Sequence, residues 1–175
     1  MAVDWTKLGT FVFLAAILQA SVFSDVTIVG GTPDVLLVAL VAVSLLRGSV
    51  VGASVGFLGG LLFDTGTLGT LGFTSLLLTL VGYWAGRYGE TTGRDRSHAP
   101  FLAVAVITFM YALGALMLHF MVGDPAPVRH VLIDTLFQDV ALNLLITIPI
   151  YALVRRALRQ AERAERIDGV RLLGQ

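Results

Sequence analysis

A serine within a Gly-x-Ser-x-Gly pattern is the first feature of this chain that suggests chemistry. Ser54 stands between Gly52 and Gly56 in the stretch GASVG. A serine nucleophile of this pattern needs a strand, a sharp turn and then a helix, so that the turn lifts the hydroxyl clear of its surroundings. Ser54 instead lies inside an apolar run that predicts a helix, and patterns this short recur by chance. We therefore interpret Ser54 as a small packing residue.

Carboxylates are the second set of residues that could do chemistry, because paired carboxylates carry out general acid–base reactions. Three aspartates are predicted to fall on one side of the molecule: Asp64, Asp134 and Asp139. Of the histidines, His119 alone lies in an apolar stretch. The sequence has no H-E-x-x-H, no D-x-D and no cysteine, so it offers no recognisable metal site. We predict that the protein is not an enzyme and uses no cofactor or metal.

The composition predicts an integral membrane protein. Of the 175 residues, 56% are hydrophobic and 14% are charged, whereas about a quarter of a soluble domain is charged. Asp4 offsets Lys7 and no A-x-A site follows the first apolar run, so this run is predicted to be a retained span and not a signal peptide. Six of the twelve Lys and Arg lie between Arg155 and Arg171, on a tail next to an apolar span and not in a basic domain, which argues against nucleic-acid binding.

Six apolar stretches predict the membrane-spanning helices. They cover residues 8–23, 35–46, 49–63, 68–85, 101–122 and 131–154. A full span needs about 20 residues, so the second and third stretches are short. They form either two helices that meet at Arg47 and Gly48, or one tilted helix with Arg47 at mid-membrane. A central arginine costs at least about 2.5 kcal/mol, so six spans are preferred and five are the alternative.

The positive charges predict the orientation in the membrane. With six spans and a cytoplasmic N-terminus, every Lys and Arg except Arg129 falls on the cytoplasmic side, as the positive-inside rule requires. We therefore predict one transmembrane domain over residues 1–155 and an arginine-rich cytoplasmic tail over residues 156–175. The tail is predicted to be helical to about Ile167, with Gly169 as its stop.

A row of small residues marks the third stretch. Its members are spaced four apart and wind slowly around a helix: Gly48, Gly52, Gly56, Gly60 and Asp64. A glycine row lets a second backbone approach closely and drives helix association in lipid. Packing within the chain is favoured over an intermolecular face. Asp64, at the outer end of the row, is expected to be a solvated cap.

Polar residues inside spans are candidates for function. In the sixth stretch, Asp134 and Gln138 share one helix face by their i,i+4 spacing, and Asp139 and Asn143 share another. The second pair is expected to lie deeper in the membrane. An interfacial, wetted segment is the alternative interpretation, and it is stronger for Asp134. The full set is Gln19, Asp64, His119, Asp134, Gln138, Asp139 and Asn143.

Several stretches resemble, in their order and spacing, the MreD family of rod-shape-determining proteins, which are small bacterial inner-membrane proteins with five or six spans. These stretches are TPDVLLVALVAVSLLRG (32–48), GASVGFLGGLLFD (52–64), LGTLGFTSLLLTLVGYWAGR (68–87) and, more weakly, LNLLITIPIYALVRR (142–156). The resemblance implies a fold similar to the six-helix S component of energy-coupling-factor transporters. It also implies location in the bacterial inner membrane, with both termini in the cytoplasm.

The resemblance further implies a role in lateral growth of the cell wall. MreD-like proteins bind the single-span protein MreC and act with actin-like MreB, the glycosyltransferase RodA and its partner transpeptidase. No catalytic residue carries over, so only interaction roles follow. Helices would pack on the face formed by Gly52, Gly56 and Gly60. Partner contacts or a pocket would involve Asp64 and Asp139, with Asn143 nearby, and the arginine tail would meet anionic lipid or cytoplasmic proteins.

Two hypotheses follow from these expectations. In the first, the protein is a scaffold whose glycine-lined groove holds the span of an MreC-like partner, so Gly56→Leu should abolish the complex while the protein still inserts. In the second, the protein is a small-molecule binding subunit of the S-component type, with polar groups near Asp64 and Asp139 at its binding site.

Overall fold

The computed structural model describes residues 5–23, 31–67, 71–92, 99–123 and 136–173. Within these ranges the chain forms six α-helices and no strand. A π-helical turn, Gln19–Phe23, follows the first of them. The helices are α1 (Trp5–Leu18), α2 (Val35–Arg47), α3 (Ser49–Thr67), α4 (Phe73–Thr92), α5 (Ala99–Val122) and α6 (Leu136–Leu173). The predicted all-helical class is confirmed.

Three of these helices are long and apolar enough to cross a membrane. The qualifying segments are Ser49–Thr67, Ala99–Met117 and Leu136–Leu158, while shorter apolar segments cover Gly9–Ser21 and Val35–Arg47. These lengths fit an integral membrane protein. The number of six spans stays a prediction, because some of the helices are shorter than the roughly 20 residues that span a bilayer.

The short helix α2 is the centre of the bundle. Its residues from Leu36 to Leu45 are all buried, on every side of the helix, and α2 contacts each of the five other helices. A helix that is apolar all round belongs in a core. With 13 residues, α2 is about 20 Å long, which is shorter than the roughly 30 Å hydrocarbon core of a bilayer.

A glycine separates α2 from α3. Gly48 has a φ of 98°, which is a left-handed conformation that residues with a Cβ rarely adopt. Its N–H donates to the carbonyl oxygen of Ser44 at 2.8 Å, which closes the end of α2. The alternative of two helices meeting at Arg47 and Gly48 is confirmed, and the single tilted helix is wrong. Arg47 is therefore at a helix end.

Contacts between α2 and α3 show that these two helices are antiparallel. Gly59 of α3 faces Leu36 near the start of α2, and Gly52 faces Ser44 near the end of α2. By the same reasoning α4 is antiparallel to α3, because Gly60 faces Ser75 and Gly52 faces Gly82. These three helices therefore form two successive hairpins.

The last helix runs in the same direction as α2. Side chains of Asp139 and Asn143 meet the backbone at Thr32 and Asp34, in the same order along both segments. The described arginines consequently gather at one end of the bundle and the aspartates at the other. We name these ends by their residues: the arginine end has Arg47, Arg87, Arg155 and Arg156, and the carboxylate end has Asp34, Asp64 and Asp139.

The final helix continues further than the sequence predicts. We expected Gly169 to end the helical tail, but α6 runs unbroken to Leu173. Glycine in a helix interior costs about 1 kcal/mol relative to alanine, and the helix formers on both sides of Gly169 outweigh this preference. The division into a domain of residues 1–155 and a tail of residues 156–175 stays a prediction.

Candidate functional site

The backbones of α3 and α4 touch along a row of glycines, which we call the glycine seam. A Cβ added to Gly52 would collide with the carbonyl oxygen of Gly82, and one added to Gly56 would collide with the carbonyl group of Leu78. Gly60 in the same way lies against the backbone of Ser75. The seam continues on the α4 side and consists of Gly52, Gly56, Gly60, Gly82 and Gly86, while Gly89 of α4 lies against the backbone of Leu45 in α2. Such contact gains dispersion energy, which drives helix packing where lipid is as apolar as the side chains.

The position of the seam changes the hypothesis about the partner. Gly52, Gly56 and Gly60 face a helix of the same chain, so this face has no room for the span of another protein. The hypothesis of a glycine-lined groove that receives the partner is therefore wrong. Gly56→Leu would force α3 and α4 apart, so this substitution cannot separate partner binding from folding.

Ser54 takes part in no charge relay among the described residues. Its hydroxyl donates to the carbonyl oxygen of Val50 at 2.9 Å, one turn earlier in the same helix. Serine in helices commonly makes this bond. The helix around Ser54 also lacks the strand and sharp turn that a serine nucleophile of this pattern needs.

Asp64 caps the neighbouring helix at the carboxylate end. Its carboxylate accepts hydrogen bonds from the backbone N–H groups of Gly72 at 2.9 Å, Thr74 at 3.2 Å and Ser75 at 3.4 Å. Thr74 and Ser75 belong to the first turn of α4, where N–H groups have no partner within their own helix, and Gly72 immediately precedes this turn. Asp64 is only 2% exposed, so the expectation of a solvated cap is wrong. The side chain of Asp64 is held by backbone N–H groups at the N-terminus of α4 and not by bulk water.

Glu90 caps the start of α3 at the arginine end. Its carboxylate accepts from the backbone N–H of Ser49 at 2.8 Å and from the Ser49 hydroxyl at 3.0 Å. Arg87 donates to the same carboxylate at 3.2 Å. The hydrogen bond from the Ser49 backbone, followed by those from the Ser49 hydroxyl and Arg87, lowers the pKa of Glu90 below its ordinary value. Sequence reasoning did not single out Glu90, because nothing local links it to a helix start 41 residues earlier.

At the carboxylate end, residues 31–34 form a short non-helical segment held inside the bundle. The N–H of Thr32 donates to Asp139 at 2.8 Å, and the N–H of Asp34 donates to the side-chain oxygen of Asn143 at 2.8 Å. Gly31 lies so close to Asp139 that a Cβ would approach its carboxylate to 2.9 Å. The predicted shared face of Asp139 and Asn143 is therefore real, and both side chains of this face bind one backbone segment. We call residues 31–34 the inserted segment.

Gln19 holds the inserted segment from the opposite side. Its side-chain oxygen accepts from the N–H of Val35 at 2.8 Å, and its amide nitrogen lies 3.4 Å from the carbonyl oxygen of Pro33, to which it donates. Asp34 in turn caps α2, because its carboxylate accepts from the N–H of Leu37 at 2.8 Å. Non-helical backbone at membrane depth is tolerated only where protein groups satisfy it, and these side chains supply the partners.

Asn143 connects the inserted segment to α5. Its amide nitrogen donates to the hydroxyl of Thr108 at 3.1 Å, while its oxygen accepts from Asp34. The side chain is 1% exposed. Asn143 thus links α2, α5 and α6 in a place where an unpaired amide would be costly.

The remaining predicted residues contribute less to this site. Asp134 and the side chain of His119 lie outside the described residues. The side-chain oxygen of Gln138 is buried and has no hydrogen-bond partner among the groups that the structure describes. Those same ranges contain no group of three His, Cys, Asp or Glu that would hold a metal. The arrangement therefore fixes backbone segments relative to one another.

The fold and these buried hydrogen bonds define a helical membrane protein whose polar side chains bind backbone groups of the same chain. A family model described as rod shape-determining protein MreD matches residues 2–159. The chain belongs to the MreD family, and its role is in the determination of rod shape. Neither the search of curated proteins nor that of solved structures found a match, so the likeness to S components of transporters stays a prediction.

Proposed function

We propose that this protein is a non-catalytic membrane scaffold of the machinery that elongates rod-shaped bacterial cells. In this proposal it binds an MreC-like single-span protein and acts with a RodA-type glycosyltransferase, its transpeptidase and actin-like MreB. By holding these proteins together it organises peptidoglycan synthesis and so regulates cell shape. Membership of the MreD family supports the general role.

One observation carries the scaffold interpretation. The carboxylates of Asp64 and Asp139 and the amide of Asn143 are bonded to backbone groups, as in the binding of the inserted segment by Asp139 and Asn143. Side chains held in this way are already satisfied, so they are poorly placed to exchange protons with a substrate. They make a rigid bundle, which is the property that a scaffold needs.

The distribution of charge supports the proposed placement in the bacterial inner membrane. Alternating helix directions bring the start of α1 and the end of α6 to the arginine end. By the positive-inside rule this end faces the cytoplasm, so both termini are cytoplasmic and the carboxylate end faces outward.

The partner's span would bind an outward apolar face of the bundle, since the glycine seam is filled by α4. Exposed side chains such as Leu14 and Ile17 on α1 and Leu58 and Leu62 on α3 offer such a surface. In lipid, association on this kind of surface depends on shape and packing and not on the hydrophobic effect.

A gentle-detergent pull-down from the native membrane tests this proposal, with the recovered proteins identified by mass spectrometry. We expect an MreC-like protein together with a RodA-type glycosyltransferase and its transpeptidase. Recovery of a pair of transport ATPases with their coupling subunit would contradict the scaffold and would establish a substrate-binding subunit. A tagged, unrelated protein with six spans, expressed at the same level, controls for non-specific recovery.

A further inference from the structure

An apolar groove lies between α4 and α5, beginning near the arginine end. It has a volume of about 370 Å³, and its walls are Trp84, Tyr88, Leu102, Ala103, Val106, Ile107 and Met110. Every one of these side chains is apolar or aromatic. The groove is open to the surroundings, because Val106 is 50% exposed and Trp84 is 59% exposed.

The length of the groove matches one half of a bilayer. Along α5 it runs from Leu102 to Met110, which is about 12 Å at 1.5 Å per residue. The hydrocarbon layer of one leaflet is about 15 Å thick. Met110 lies near the middle of α5, which covers Ala99–Val122, so the groove extends from the arginine end to the midplane of the helix.

The walls of the groove favour a hydrocarbon chain over a helix as its occupant. A single extended hydrocarbon chain is narrow enough to enter a cavity of about 370 Å³. The walls also lack the small residues that let helix backbones approach each other, since Ala103 is the only small residue that lines them.

The charges near the mouth of the groove fit an anionic headgroup. Arg87 lies on α4 between the wall residues Trp84 and Tyr88, and its side chain is 53% exposed even though it pairs with Glu90. Arg155 and Arg156 are exposed at the same end. Tyrosine and tryptophan favour the boundary between headgroups and hydrocarbon, so Trp84 and Tyr88 place this boundary at the mouth.

We propose that the groove binds one acyl chain of an anionic glycerophospholipid from the leaflet on the arginine side, with its phosphate next to Arg87. The lipid fills the space between α4 and α5 and so completes the wall of the bundle. This inference depends on the proposed membrane placement and not on the proposed protein partner. Failure of the lipid proposal would therefore leave the scaffold proposal intact, and failure to find the partner would leave the lipid proposal intact.

Native mass spectrometry of the full-length protein tests the proposal. The protein is reconstituted in vesicles of one part phosphatidylglycerol to three parts phosphatidylcholine and then extracted in a mild detergent. We expect the wild type to retain one phospholipid, with phosphatidylglycerol enriched several-fold over its share in the vesicle. Val106→Trp, which fills the groove from its exposed side, should reduce this retention at least fivefold.

Three further variants make the result specific. Met110→Trp fills the deep end of the groove and should act as Val106→Trp does. Val50→Trp makes the same change on an exposed face of α3, where Val50 is 73% exposed, and should retain lipid as the wild type does. Arg87→Gln should lower the enrichment of phosphatidylglycerol while leaving one lipid bound.

Several outcomes would overturn the proposal. These are a wild type that retains no phospholipid, both groove-filling variants retaining it undiminished, or a wild type that retains the two lipids in the one-to-three ratio of the vesicle. A photo-cross-linker at position 106 that joins to a protein in the native membrane would show that a partner occupies the groove, and this result would also overturn it.

Discussion

The carboxylate of Glu90, near the end of α4, binds both the backbone N–H and the hydroxyl of Ser49, the first residue of α3. At the other end of the same pair, Asp64 of α3 binds the N–H groups that begin α4. Each helix therefore supplies the cap of its neighbour. Between the two caps the glycine seam holds the backbones in contact, so α3 and α4 form a hairpin that is fixed at both ends and along its length.

Loss of the Asp64 cap should destabilise the protein. Asp64→Ala removes the acceptor for N–H groups in the first turn of α4, and an unsatisfied buried donor costs about 1–3 kcal/mol. We expect a lower midpoint for thermal unfolding in detergent, with Asp64→Asn closer to the wild type because it keeps one acceptor.

Thr65→Ala is the matched control for the Asp64 variants. Thr65 is exposed, and its hydroxyl donates to the carbonyl oxygen of Leu62 in its own helix, so we expect a change within about 0.5 kcal/mol. Equal unfolding midpoints for Asp64→Ala and Thr65→Ala would show that the cap has no energetic role.

The Glu90 cap makes stability depend on pH. Because the folded state lowers the pKa of Glu90 below its ordinary value of 4.5, the extra stability is present above pH 4.5. It is lost as the pH falls through the folded pKa. We expect Glu90→Gln to remove this part of the acid-induced loss, as measured by thermal unfolding in detergent between pH 3 and pH 7. Parallel curves for the wild type and Glu90→Gln over this range would refute the role of the cap.

Adding a single methyl group to a glycine of the seam should destabilise the protein. In Gly56→Ala the new Cβ collides with the Leu78 carbonyl group, and overpacking of this kind typically costs about 1–3 kcal/mol. Gly9→Ala on α1 is the control, since nothing lies within 4 Å of its added Cβ. Alanine is also the better helix former there, by about 1 kcal/mol. We expect opposite shifts of the unfolding midpoint for these two variants, and shifts of the same sign would contradict the seam.

Asn143 should control the opening of the inserted segment. Asn143→Ala removes the acceptor for the Asp34 N–H, so hydrogen exchange at that amide should be about 10-fold faster, which corresponds to about 1.4 kcal/mol. Leu145→Ala, at a side chain that is 69% exposed, should leave the exchange unchanged. If Asp34 exchanges at the wild-type rate in Asn143→Ala, the inserted segment is held by other contacts.

Local patterns predicted much of the fold. The third apolar stretch, 49–63, begins where α3 begins, and the break at Gly48 follows from a glycine next to an arginine that is costly at mid-membrane. The glycine spacing indicated a packing face because that spacing repeats on one helix. The shared face of Asp139 and Asn143 is also a property of one helix, so it too was visible in the sequence.

The residues that these helix faces contact could not be predicted from the sequence. Asp64 was expected to be solvated because it lies at the outer end of its helix, and its donors become adjacent only when α4 folds back on α3. The same holds for Glu90 and Ser49. The insertion of residues 31–34 depends on α2 being shorter than a membrane is thick. It also depends on Gln19 of the π-helical turn and on Asp139 and Asn143 of α6, whose side chains bind the segment. Contacts between distant segments decide these features.

Depletion of the protein in its native rod-shaped host is the most direct test of the central claim, that a rigid membrane scaffold directs growth of the side wall. Cell width and sidewall incorporation of a fluorescent D-amino acid are measured during depletion, with a plasmid copy of the wild type, Asn143→Ala or Leu145→Ala. We predict that depleted cells widen and lose sidewall incorporation, that the wild type and Leu145→Ala restore both, and that Asn143→Ala restores them poorly. Depleted cells that keep their width and their sidewall incorporation would contradict the account.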